Sequence, residues 1–208
     1  MNPPKTITLA LTGASGMPYA MRLLEYLLQH GNKVYLLYSQ VAQIVAKQEM
    51  DLTLPSRSRD LETYLYERYQ APQGSLRVFG REEWFAPVAS GSNPADAMVV
   101  CPCTMGSLAA IAMGLSDNLI ERAADVMLKE NRKLILVPRE TPFSAIHLEN
   151  MLKLARLGCV ILPANPGFYH HPQTVQDLID FVVARILDHL DIPNDLMPRW
   201  GEAPPDQE

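Results

Sequence analysis

At 208 residues, with 48% apolar and 20% charged side chains, the chain has the make-up of a soluble globular protein and enough length to bury one large core. Its 23 acidic against 18 basic residues leave a formal charge of −5, which excludes a general nucleic-acid-binding face, because neutralising a phosphate backbone needs a basic surface. Three cysteines cannot make a full set of disulfides, and no apolar run reaches the roughly 18 residues that span a bilayer, so a cytoplasmic protein without a membrane span is expected.

The N-terminus, Met1 to Lys5, runs into an apolar stretch with no charged leader and long h-region, in keeping with that location. Thr6 to Leu11 is a continuous apolar run of strand length, and continuous rather than alternating runs mark strands buried on both faces of a parallel sheet. Thr12-Gly13-Ala14-Ser15-Gly16 follows, then a helical stretch at Tyr19 to Gln29 with Pro18 in the opening turn, where its missing N–H is not needed. Such a helix start suits an anion: backbone N–H groups and the helix dipole point outward, Gly13 and Gly16 let the backbone approach closely, and Ser15 adds a hydroxyl. The plainer alternative is a glycine turn that only joins strand to helix. The spacing matches neither GxGxxG nor a P-loop, and Ser15 is not in GxSxG.

The second strand, Val34 to Tyr38, closes on Ser39 rather than on an acidic residue, so the ribose-binding partner of an NAD site is missing. A flavin mononucleotide, with one phosphate, fits what is left. From Asp51 to Pro94 scattered Pro, Ser and Gly break the rhythm, and the stretch reads as an excursion with one short helix, about Asp60 to Tyr69, and a long loop of the kind that is usually functional. A third strand spans Ala97 to Cys101. The one-residue spacing in Cys101-Pro102-Cys103 matches no zinc site, so no metal is expected. Thr104 and Ser107 open the next helix, Ser107 to Met113, a second candidate phosphate or flavin contact.

On the helix Leu119 to Lys129, Arg122 and Lys129 lie seven apart and project from nearly one face, with Asp125 between them. The bland reading is a solvated face with Arg122 and Asp125 as an i, i+3 pair. Arg139-Glu140, however, closes the apolar strand Leu134 to Val137 at the edge where α/β sheets bind ligands, and a charge pair there needs a partner. Arg122, Lys129 and Arg139 would surround a dianion, and Glu140 would orient a cation or handle a proton. After the helix Ile146 to Leu157 and the strand Val160 to Leu162, Phe168 and Tyr169 would wall a pocket, with Arg185 on the last helix, Val175 to Leu190. Strand and helix in alternation predict a Rossmann-like (flavodoxin-like) doubly wound parallel sheet, one flavin-binding α/β domain over residues 1–192. The Pro-rich tail, 193–208, carries Arg199-Trp200 and is expected to pack on a neighbouring subunit.

Taken in order, Thr12 to Gly16, Cys101 to Thr104, Asn118 to Glu130, Val137 to Pro142 and Pro166 to His170, continuing through Arg199-Trp200, resemble the UbiX flavin prenyltransferases. The resemblance implies a homododecamer that binds reduced FMN and dimethylallyl monophosphate without a metal. It implies that C1 of the donor joins flavin N5, that a second bond forms at C6, and that prenylated FMN passes to a UbiD-type decarboxylase in ubiquinone biosynthesis. Carried over position by position, it places Gly13, Ala14, Ser15, Ser39, Thr104, Met105, Gly106, Ser107 and Arg139 at FMN. It places Ser90, Gly91, Arg122, Lys129, Glu140, Tyr169 and Arg185 at the prenyl phosphate, and Trp200 near the substrate. Ser15, Glu49 and Glu140 correspond to residues implicated in proton movement, and Lys129 joins them as fixed charge that stabilises a departing phosphate. Met17-Pro18 departs from the commoner Ala-containing turn. The rival readings are a flavin-dependent decarboxylase of an aromatic acid or a peptidyl cysteine, and a flavin-binding electron carrier in which the Arg/Lys cluster would be idle.

Overall fold

The computed structural model describes residues 3–199 and 201, and the chain divides into two compact units, Met1–Ala164 and Asn165–Glu208. In the first unit, β1 (Thr6–Leu11), β2 (Lys33–Tyr38), β3 (Leu76–Phe79), β4 (Ala97–Cys103), β5 (Lys133–Pro138) and β6 (Val160–Ile161) form one sheet in the order β3-β2-β1-β4-β5-β6. Every neighbouring pair is parallel. The apolar runs explain this: β4 is buried along its whole length, and β1, β2 and β5 each bury all but their first residue.

Helices α1 (Met17–Gln29), α2 (Gln40–Met50), α3 (Ser58–Tyr69), α4 (Met105–Ala112), α5 (Leu119–Lys129) and α6 (Ala145–Arg156) lie between the strands in sequence. On α1 the buried set Met17, Ala20, Met21, Leu23, Leu24, Leu27 and Leu28 recurs at helical spacing. Each fully buried Leu among them contributes about 2 kcal/mol of transfer free energy.

Two elements leave no clear mark in the sequence, α2 and β3. The buried face of α2 consists only of Ala42, Val45 and Ala46, while Val41 and Ile44 stay exposed, so its apolar stripe is too slight to stand out. Strand β3 is four residues long with Arg77 exposed in the middle, a short edge strand inside the stretch taken for a long loop. Its presence changes the topology. The five expected strands alone would read 2-1-3-4-5, the flavodoxin order, whereas with β3 the sheet has the 3-2-1-4-5-6 order of Rossmann domains. The order reverses between β1 and β4, and the crevice outside their carboxyl ends is where such sheets bind ligands.

Cys101, Cys103 and Cys159 are free, buried thiols. Burial pushes Cys103 up to about 12 and Cys159 to about 11, and it raises Cys101 further, with the neighbouring Cys103 adding to the effect. Because the thiolate is the reactive form, iodoacetamide at neutral pH is expected to label none of the three in the native protein and all three in denaturant. Intact-mass analysis checks this, and prompt native labelling would mean that the sheet opens around β4 or β6.

The second unit holds α7 (Val175–His189), started by a capping box in which the Thr174 hydroxyl and the Asp177 carboxylate each accept from the other's backbone N–H. The N–H of Thr174, then that of Gln173, hold the Asp177 carboxyl below its ordinary range. Ahead of the helix, His170 stacks on Phe181 at 5.4 Å between ring centroids, and Tyr169 meets Phe181 edge-on at 5.9 Å. A Cβ on Gly167 would come within 3.0 Å of both the Tyr169 and Phe181 rings, so glycine there permits the close approach. Among the described residues no helix is long and apolar enough to cross a membrane.

Candidate functional site

The topological switch point is locked by a residue that the sequence reading took only as the first of the glycine turn. The Thr12 hydroxyl, buried at the end of β1, donates to the Pro102 carbonyl at 2.6 Å and accepts the Thr104 N–H at 2.9 Å. These bonds tie the turn after β1 to the end of β4. Two helix starts bring hydroxyls to the same edge. Ser39 Oγ caps α2 by accepting the Ala42 N–H, and Thr104 Oγ1 caps α4 by accepting the Ser107 N–H while donating to Ser107 Oγ. A Cβ on Gly13 would collide with the Val41 side chain, so this glycine is required by the close packing of the turn on α2. A Cβ at Gly106 would meet nothing nearer than Thr104 Oγ1 at 3.9 Å, which leaves the first turn of α4 open.

The α1 start itself departs from expectation. Neither an open anion site nor a bare glycine joint describes this turn: the Glu49 carboxylate, near the end of α2, accepts the Gly16 N–H at 2.9 Å and the Met17 N–H at 2.8 Å. Gly16 is the cap residue of α1 and has no side chain to offer, so a carboxylate from another helix caps it and sits against the positive end of the helix dipole. The anion at this helix end belongs to the chain. Burial, then nearby Cys101 and Glu49, raise the Tyr19 hydroxyl above its ordinary value beside the same turn.

A second cluster lies on α5. Arg122 donates through Nε to the Ala89 carbonyl at 3.0 Å and through Nη1 to Asp125 at 2.7 Å. Lys129 pairs with Glu130, and a Cβ on Gly91 would collide with both of those side chains. Ser90 Oγ bonds Ser92 Oγ beside them at 2.9 Å. The shared face read from the two-turn spacing is therefore real, and it closes on the loop 89–92.

The expected ring of Arg122, Lys129 and Arg139 around one dianion does not form within the chain. Lys129 ends α5 just before β5 begins, whereas Arg139 follows the last residue of β5, where its N–H reaches the Cys103 carbonyl. A six-residue strand spans roughly 17–20 Å at about 3.3 Å per residue, so the two cations stand at opposite ends of it. Glu140 stays half-buried next to Arg139 and accepts the Thr141 N–H.

In the second unit a cleft of about 530 Å³ is lined by Tyr169, Arg185, Asp188, Asn194, Met197 and Arg199 among others. Arg185 donates to Asp188 at 2.7 Å. Trp200 lies outside the described residues. Three of the proposed phosphate-binding cations thus carry a neighbouring carboxylate: Arg122 has Asp125, Lys129 has Glu130 and Arg185 has Asp188. The Lys129 ammonium holds the Glu130 carboxyl below its ordinary range. Thr12, Glu130, Asp188 and Arg199 were not singled out from the sequence for these contacts; adjacency to a chosen cation was the available signal for Glu130 and Asp188. Among the described residues no group of three or more His, Cys, Asp or Glu side chains is placed to hold a metal ion.

The model of the Flavoprotein family matches residues 1–187. A flavin prenyltransferase UbiX of Pseudomonas aeruginosa is 58% identical over 202 residues, covering 97% of each chain. A solved structure described as AnUbiX in complex with FMN and dimethylallyl pyrophosphate is similar at 40% identity and a TM-score of 0.84, over 97% of this chain and 100% of that one. A dodecameric FMN-dependent UbiX-like decarboxylase from Escherichia coli O157:H7 is similar at 39% identity and a TM-score of 0.82, over 95% of this chain and 100% of that one.

Proposed function

Because the chain belongs to the Flavoprotein family, and within it to the UbiX flavin prenyltransferases, we propose that it joins the dimethylallyl group of dimethylallyl monophosphate to N5 and C6 of reduced FMN and releases phosphate. The observation that carries this reading is the presence of two chemically distinct sets: neutral hydroxyls at the switch point, and cations beside neighbouring carboxylates elsewhere. The first set fits a flavin mononucleotide. Ser39, Thr104 and Ser107 present hydroxyls along one sheet edge, Gly106 leaves the start of α4 open, and Arg139 supplies one guanidinium at the end of the adjacent strand. Bound reduced FMN supplies the nucleophilic N5 and C6 positions.

The second set fits the leaving group. As the donor's C1–O bond breaks, its electron pair departs on phosphate, and fixed positive charge at Arg122, Lys129 and Arg185 stabilises that anion. Ser90, Gly91 and Tyr169 complete the proposed phosphate contacts, with Trp200 at the prenyl group. Ser15, Glu49 and Glu140 handle protons as the second bond closes. Since Lys129 and Arg139 stand at opposite ends of β5, Arg122 and Lys129 of one copy serve the flavin edge of another, and the tail from residue 193, fastened to its own α7 through Asn194, also meets a neighbouring copy. The dodecamer of the similar E. coli protein supports such an assembly. The product is passed to a UbiD-type decarboxylase in the cytoplasm, in ubiquinone biosynthesis.

The test is anaerobic incubation of the protein with reduced FMN and dimethylallyl phosphate, followed by mass spectrometry of the flavin. A flavin heavier by one prenyl unit, with phosphate released in equal amount, is expected. An unchanged flavin on intact, flavin-loaded protein would overturn the proposal.

A further inference from the structure

Around the cleft on α7, the carboxylate of Asp188 is shared among three donors. Its Oδ2 accepts Arg185 Nη1 at 2.7 Å, and its Oδ1 accepts Asn194 Nδ2 at 3.1 Å with Arg199 Nη2 standing at 3.8 Å. Two guanidiniums therefore flank one carboxylate, a net charge of +1 in a cleft that Tyr169 also lines. Arg185 makes the close bond. Arg199 sits beyond hydrogen-bond distance with its side chain 62% exposed, in a tail segment that the Asn194–Asp188 bond fastens to the helix.

A guanidinium has five N–H donors in a fixed fork, and a phosphate group has more acceptor oxygens and more charge than the carboxylate now between the two arginines. From this geometry we infer that Arg199 is a second guanidinium for the phosphate group of the prenyl donor, opposite Arg185, with Asp188 holding both side chains in place until that phosphate takes its position. The inference rests on the prenyl-transfer reading above and adds to it a residue and a binding sequence. Asp188 has two opposed effects: it orients Arg185 and Arg199 before the donor arrives, and it competes with phosphate once the donor is bound. The competition weakens the hold on product phosphate and so favours its release. Asn194 keeps the tail close enough for Arg199 to act.

Arg199 grips the phosphate before and during transfer, so its loss should raise the donor's KM more than it lowers kcat. With the flavin-loaded protein and dimethylallyl phosphate, Arg199→Gln is expected to raise KM by roughly fivefold to tenfold, a modest change because the side chain is exposed, and Arg199→Lys to restore part of it. Inorganic phosphate should inhibit Arg199→Gln more weakly than wild type and Asp188→Asn more strongly. FMN affinity should be the same in all of them. If Arg199→Gln keeps wild-type KM and wild-type phosphate inhibition, the inference fails. It also fails if FMN affinity falls instead, because Arg199 would then serve the flavin's phosphate. Wild-type protein that forms no prenylated flavin would defeat the underlying reading, an outcome distinct from active wild type with an unaltered Arg199→Gln.

Discussion

Arg122→Ala is expected to lower prenyl transfer by roughly two to three orders of magnitude, the usual cost of removing one preorganised donor from a developing anion, while FMN still binds. The size of the effect comes from what Arg122 holds. Its Nε secures the Ala89 carbonyl and its Nη1 the Asp125 carboxylate, so one truncation frees the loop 89–92 and leaves Asp125 without its partner. With Arg122, Lys129, Asp125 and Glu130 counted together, the patch changes from net zero to −1, and a phosphate leaving group would then face net repulsion. Arg122→Lys keeps the charge but cannot serve a carbonyl and a carboxylate in one planar fork, so an intermediate loss is expected. FMN binding should survive in both variants, because the proposed flavin contacts lie at the switch point and not on α5. Initial rates of phosphate release, measured beside flavin absorbance of the purified variants, decide it. Wild-type kcat/KM in Arg122→Ala would remove the α5 cluster from the reaction.

The legibility of these features in the sequence followed the range of the interactions that make them. Strand β1 and helix α5 were readable to the residue, because Thr6 to Leu11 is an unbroken apolar run and Leu119 to Lys129 repeats its apolar positions at helical spacing. The common face of Arg122 and Lys129 was readable for the same reason, since two turns of helix are a local fact. Their partner was not. Nothing near Ser90 and Gly91 announces that this loop folds against α5, and the glycine is explained only by the Lys129 and Glu130 atoms that a Cβ would strike. Grouping Arg139 with Lys129 failed on direction: spacing along a chain says how far apart residues are, but the strand between these two carries Arg139 to the opposite end. Edge strand β3 escaped because four residues give no period, so the Rossmann-like sheet was legible but its outermost strand beside β2 was not.

Glu49 is the sharpest case of a contact that local spacing cannot reveal, and two substitutions there should behave differently. The carboxylate reaches back 32 residues to accept the Met17 N–H, and it also takes the Gly16 N–H, at a helix start whose own cap residue has no side chain. In Glu49→Gln the amide oxygen can still accept from both N–H groups, so α1 keeps its cap and the melting temperature should stay close to wild type. In Glu49→Ala the cap is gone, which costs about 1–2 kcal/mol as for other lost N-caps. At roughly 2–4 °C per kcal/mol for a protein of this size, the melting temperature should fall by several degrees. Turnover should follow a different pattern. If the carboxylate also carries a proton during prenyl transfer, both variants lose it, and both should slow by about 100-fold or more. Thermal melts and single-turnover rates of the two variants, taken together, separate the roles. A Glu49→Gln protein that turns over like wild type, beside a slow and less stable Glu49→Ala, would reduce Glu49 to a cap and leave the proton to Ser15 and Glu140. Slow turnover in a Glu49→Gln protein of unchanged stability would show that the carboxylate that closes α1 also acts in the chemistry.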